Sequence, residues 1–162
     1  MASVSYNVSL VGQAATRTCW YACAQMLLAW RDRRAYPGQL VLDNASDEAV
    51  HKLNTPLGLG SYRPFFVDTL HMCLEHVPLG RENAFQWLTI HGPLIYSGRY
   101  SGYRNLFGWG SHAVVITGVE IDDSAASVRI NDPWPWKIGC RLVMSLDELI
   151  RTLPFSGPVV HC

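Results

Sequence analysis

The chain has 162 residues, of which 49% are hydrophobic and 16% charged. That is enough apolar material for one domain with a sizeable core, and a composition that argues against disorder. Thirteen basic residues balance thirteen acidic ones, so there is no field of one sign to draw in nucleic acid, an anionic membrane or a cationic substrate.

The opening "MASVSYNVSLVGQ" has no basic start followed by a long apolar run, so no signal peptide is expected. Its first dozen residues read as an extended arm. Thr18 is placed to cap a helix over 19–31, which is apolar nearly all round until Arg31 and is therefore expected to be buried. "YPG" at 36–38 breaks the chain, and "SDEAVHKLN" at 46–54 has the Ser cap and early acids of a second helix. "PLGLGSYRP" reads as a loop. Over 64–76, Phe66, Leu70, Cys73 and Val77 recur at spacings of four, three and four, a helical core stripe. A short helix over 82–90 would turn Phe85 and Leu88 inward.

From Pro93 the pattern changes to short β-rich runs separated by Gly and Asp clusters. Strands are expected at 93–97, 112–119, 126–131, 138–144 and 158–161. "SLDELIRTL" at 145–153 is a late helix capped by Ser145, with Glu148 completing a capping box. No apolar run approaches the ~20 residues of a membrane helix. Helices first and a mostly antiparallel sheet afterwards predict an α+β fold. It would form one domain, with a helical lobe over about 13–92 and a β lobe over about 93–162.

Three stretches carry chemistry: "QAATRTCW", "GSHAVVITGV" and "RINDPWPW". Cys19 in the first turn of a helix would have a depressed pKa, because unpaired backbone N–H groups favour negative charge there. An imidazole beside it would favour the thiolate further and later protonate a leaving group. A hairpin across "DDSAAS" brings His112, at the start of one strand, near the Asn131–Asp132 pair at the end of the next. Asp132 would orient the ring, with Asn131 as runner-up. The side chain of Gln13, six positions before Cys19, and the Cys19 backbone N–H could form an oxyanion hole.

This set resembles the papain-like cysteine peptidases. The Gln-to-Cys spacing, the Trp20 that follows the nucleophile, and the order Cys, His, Asp all match. "HAVVITGV … INDPWP" is similar to two compact bacterial branches, the double-glycine bacteriocin-leader peptidases and the plant-pathogen effector proteases. The resemblance spans about residues 10–160. It implies a cleft between the two lobes, and it favours Asp132 as the orienting residue, because Trp134 lies two positions on and Asp132 opens a "DP" pair. The papain pattern of glycine and serine before a second cysteine is absent, and so is a propeptide.

Bland roles compete for several of these residues. Cys23, one turn after Cys19, reads as core. "HMCLEH" groups His71, Cys73 and His76, and Cys19 and Cys23 are C-x3-C, but no second matching pair completes a zinc site, so no metal is expected. The five cysteines are an odd number and, without a secretion signal, argue against a disulfide framework. "YSGRYSGYRNLFGWGS" at 96–111 reads as a substrate rim, its Gly98, Gly102, Gly108 and Gly110 allowing close approach of a ligand. Trp20, Gly110, Ser111 and Trp134 are the expected substrate contacts, although Trp134 and Trp136 serve equally well as core cover.

The reading is a cofactor-free cysteine endopeptidase. As a small domain made in a cytosol, it would be an effector or toxin delivered by a secretion system to cleave an intracellular protein of a target cell. It would cut after small residues such as Gly-Gly, and a cognate immunity protein could occupy the cleft. Neither nucleic acid nor a membrane is an expected partner. Two alternatives use the same fold: a deamidase, transglutaminase or amidase, and a catalytically inactive binding domain.

Overall fold

The computed structural model describes residues 1–13, 18–33, 63–99, 111–135, 137–154 and 159–162. The helix expected over 46–54, the breaker at 36–38, Gly102, Gly108, Gly110 and Trp136 lie outside them. In chain order the elements are β1 (Ala2–Ser5), α1 (Cys19–Arg31), a wide π-helical segment (Arg63–Thr69), β2 (Cys73–Glu75), α2 (Arg81–His91) and β3 (Leu94–Arg99). They continue with β4 (Ser111–Ile121), β5 (Ala126–Asp132), β6 (Cys140–Ser145), α3 (Leu146–Thr152) and β7 (Val159–His161). Among the described residues, no helix is long and apolar enough to cross a membrane.

The strands form one antiparallel sheet in the order β2-β7-β3-β4-β5-β6. β4 is its spine: β3 pairs with residues 111–116 and β1 with residues 118–121, so two strands share one flank. "HAVVITGV" is apolar throughout because both faces of β4 are covered. Ala113 and Val115 join a core cluster headed by α1, with Ile95 and Val160. Val114 and Ile116 face the other way, into a cluster with Leu88 of α2 and Leu146 and Leu149 of α3. Helices packed on one antiparallel sheet give the α+β architecture expected of the sequence.

Helix α1 is buried from Cys19 to Ala29 apart from a half-buried Tyr21. Its all-round apolar character follows from that position, each buried Leu or Met contributing about 1.5–3 kcal/mol. Thr18 occupies the cap position and its carbonyl accepts from the N–H groups of Tyr21 and Ala22, but its side chain makes no capping bond. Ser145 does cap α3 as predicted, its Oγ accepting from the Glu148 N–H at 3.0 Å.

Two stretches depart from the sequence reading. The helical stripe over 64–76 stops at Thr69, where the Met72 N–H bonds back to the Phe66 carbonyl at 2.8 Å and His71 adopts a left-handed φ of 55°. The chain leaves this turn as β2, and Cys73 pairs with His161. Phe66 and Leu70 are buried as the stripe requires, but Cys73 is exposed, Val77 is half-buried and Met72 fills the core instead. Local periodicity cannot register a strand pairing with residues nearly ninety positions away. The N-terminal arm is also more than an arm: it forms β1, and the Tyr6 hydroxyl then donates to the Leu88 carbonyl at 2.6 Å.

Gly98 lies opposite His112 in the β3–β4 ladder. A Cβ there would sit 2.4 Å from the Pro154 carbonyl oxygen and 2.6 Å from that of Leu153. The Tyr96 hydroxyl and the Arg99 N–H bond to those same two carbonyls, each at 3.0 Å. The backbone that approaches Gly98 is thus the chain's own, and not a ligand as the glycine-rich sequence suggests. Gly98→Ala is expected to lower stability by about 1–3 kcal/mol through this backbone clash. Ser145→Ala, which removes one cap, should cost about 1 kcal/mol. Thermal or urea unfolding of the two variants measures both, and equal stability of Gly98→Ala and the parent would refute the packing account.

Candidate active site

Three element ends converge. Cys19 is the first residue of α1, His112 the second of β4 and Asp132 the last of β5. The β4–β5 register pairs Val115 with Asn131. Alternation then puts Asp132 on the side of Val114 and His112, and Asn131 on the opposite side. The side chains follow this parity. His112 Nε2 lies 2.8 Å from Asp132 Oδ1, whereas the Asn131 amide donates to the Val8 carbonyl at 3.0 Å. The register bulge between Ile116 and Gly118 falls beyond this stretch and leaves the parity intact.

Asp132 Oδ1 also accepts the Trp134 backbone N–H at 2.8 Å. One carboxylate oxygen is therefore held by the ring and by its own turn, so the "DPW" sequence fixes the carboxylate as well as supplying it. With Nε2 committed to Asp132, the other ring nitrogen is left for Cys19, whose thiol hydrogen-bonds the His112 side chain.

The electrostatics favour charge separation across that bond. Burial pushes the Cys19 thiol up. The hydrogen bond and charge attraction to His112, with the backbone N–H groups of Ala113 and Trp20, more than offset burial and leave it below its ordinary value. For His112, burial disfavours the cation, but hydrogen bonds to Asp132 and Cys19 and attraction to both leave its pKa raised. One shift is down and the other up, the directions that favour a thiolate–imidazolium pair. Cys23 behaves oppositely: burial first, then the charges of Cys19 and Asp132, push its thiol well up. Two cysteines one turn apart on one helix thus have opposite chemistry.

Gln13 is buried, 2% exposed, and its backbone is clamped by the turn that follows Asp132. Its N–H donates to the Pro133 carbonyl, and its own carbonyl accepts from the Lys137 N–H, both at 2.9 Å. Gly12 makes this approach possible, since a Cβ there would lie 2.4 Å from the Ile138 nitrogen. Ser111 is exposed and Trp134 half-buried. Trp20 is only 3% exposed and packs in the α1 core cluster. Gly110 lies outside the described residues. The Trp20 N–H is one of the first-turn donors expected beside Cys19, whereas the Ala113 N–H as a partner of sulfur leaves no trace in residue identity.

All five cysteines are free thiols. His71, Cys73 and His76 do not come together, and no group of three or more His, Cys, Asp or Glu side chains suited to a metal occurs among the described residues. The arrangement that remains is a nucleophile, a proton carrier and an orienting carboxylate, which suits acyl transfer.

Comparison with known proteins agrees with this chemistry. No curated protein matches the sequence. A solved structure described in terms of antibody cross reactivity between the mite allergens Blo t 1 and Der p 1 superposes with a TM-score of 0.58 at 11% identity. The match covers 95% of this chain and 66% of the allergen chain, a likeness of fold. Residues 1–151 match the family described as papain-like cysteine protease AvrRpt2, and the chain belongs to that family.

Proposed function

We propose that the chain is an active cysteine endopeptidase and that residues 1–162 make one peptidase domain. Cys19 attacks the scissile carbonyl as the thiolate. His112 carries the proton to the leaving amine and then activates the water that releases the thioester. Asp132 orients the ring. Gln13 and the Cys19 backbone N–H stabilise the oxyanion. The observation that carries this reading is the Cys19–His112–Asp132 chain of contacts, with the thiol pKa depressed and the imidazole pKa raised. Ser111, exposed, and Trp134, half-buried, line the substrate-binding side, and the buried Trp20 packs behind them in the core.

The substrate is a protein, and the family supports an effector that acts inside a target cell. Delivery by a secretion system, toxicity and a cleft-blocking immunity protein extend this reading. So does a preference for small residues, Gly-Gly above all, before the cut.

Profiling of new protein N-termini in cells that express the domain tests both activity and target. Cys19→Ala and His112→Ala should each remove every domain-dependent cut, a loss of at least about 10⁴-fold in kcat/KM. Release of ammonia without new N-termini would instead identify a deamidase.

The pH profile follows from the two shifts. The active form lies between protonation of the Cys19 thiolate, at a lowered pKa, and loss of the His112 proton, at a raised one. Asp132→Asn removes a stabiliser of the imidazolium, so the alkaline limb should move to lower pH while kcat falls by about 10²–10⁴-fold. An alkaline limb that stays in place would exclude Asp132 as the partner of the ring.

Gly12→Ala should displace the clamped Gln13. The expected result is a kcat reduced by about 10²-fold with KM little changed, as for loss of one oxyanion donor. A rise in KM alone would assign Gly12 and Gln13 to substrate binding.

A further inference from the structure

A cleft of about 350 Å³ opens beside the N-terminal arm on the sheet face that carries Arg129, Asn131 and Arg141. In the β5–β6 ladder Arg129 pairs with Val143 and Asn131 with Arg141, so the two arginines are diagonal neighbours on one face. Strand alternation turns this face away from the side of β5 that bears Asp132. Ser5 and Asn7 of the arm and Thr117 of β4 add neutral polar groups to the lining.

The charge in this cleft is not compensated. No Asp or Glu lines it. Among the described residues Arg129 meets no carboxylate. Arg141 reaches only the Val8 carbonyl, at 3.5 Å, and Asn131 already donates to that oxygen at 3.0 Å. Thr117 Oγ1 donates to the Arg129 carbonyl at 3.2 Å and ties the base of that residue to β4. In a chain whose formal charge is zero, two exposed arginines on one face of this cleft make a local positive charge that an anion would neutralise. Guanidinium forks match tetrahedral and planar oxyanions, and two of them match a dianion best. The volume is near the lower end for small-molecule sites and far too small for a polymer.

We propose that this cleft binds a small phosphate-bearing anion, held by Arg129 and Arg141, at a site separate from Cys19, His112 and Asp132. The unmodified chain would be titrated by calorimetry with inorganic phosphate and with glycerol phosphate, against chloride at matched ionic strength. Saturable binding is expected, weakened about tenfold or more by Arg129→Gln or Arg141→Gln and unchanged by Arg33→Gln at an exposed position outside the lining. Tighter binding of glycerol phosphate would identify a phosphorylated small molecule as the source, and equal or tighter binding of inorganic phosphate would identify free phosphate. Amide shifts on titration of the unsubstituted protein should concentrate at residues 5–8 and 129–131. The absence of saturable binding, binding that survives in the double variant, or shifts confined to other regions would overturn the proposal.

Discussion

The register of β4 against β5 is the constraint on which the rest of the site depends. A slip of one residue would turn Asp132 to the side now taken by Asn131, and His112 would face an amide in place of a carboxylate. The register is held by the alternation of β5: Ala126, Val128 and Ile130 lie in the core cluster with Val114 and Ile116, and Ser127 and Arg129 point away from it. A slip would turn Ser127, Arg129 and Asn131 into the cluster that now holds Ala126, Val128 and Ile130. The same packing that stabilises the sheet therefore fixes which side chain meets His112.

The position of α1 depends on that sheet in turn. The helix packs against Ala113 and Val115 of β4, and its first residue, Cys19, reaches the start of that strand at the Ala113 N–H and the His112 side chain. Cys19 then receives the Trp20 N–H from its own first turn and the Ala113 N–H from β4. Thr18 leaves its side chain out of the helix cap, and that departure from the usual cap is consistent with a first turn whose donors face sulfur. Burial alone would make Cys19 as inert as Cys23. Four residues separate them, and the difference lies in what each sulfur touches.

Asn131 and Asp132 divide two tasks between adjacent positions. Asn131 anchors the N-terminal arm through the Val8 carbonyl, and Asp132 holds the ring of His112. Farther along, Pro133 and Lys137 clamp Gln13. The segment "NDPWPWK" thus ties together the arm and the sheet, and it brings Gln13 beside the residue that orients His112. One short turn organises groups that lie more than a hundred residues apart in sequence.

Much of this was legible in the sequence. The strands over 112–119 and 126–131, the capped helix after Ser145 and the buried helix after Cys19 follow from periodicity and end signals, because those forces act within a few residues. The association of Cys19, His112 and Asp132 was legible as well, since a short hairpin and a helix start leave few geometries open. Tertiary structure alone decided the rest. Cys73 leaves the core because β2 pairs with β7, the arm becomes β1 because β4 has free length beyond β3, and Gly98 serves the chain's own backbone at Leu153 and Pro154. The depressed thiol and raised imidazole also belong to the folded state, because desolvation and a hydrogen bond between distant residues have no counterpart in the chain before those residues meet.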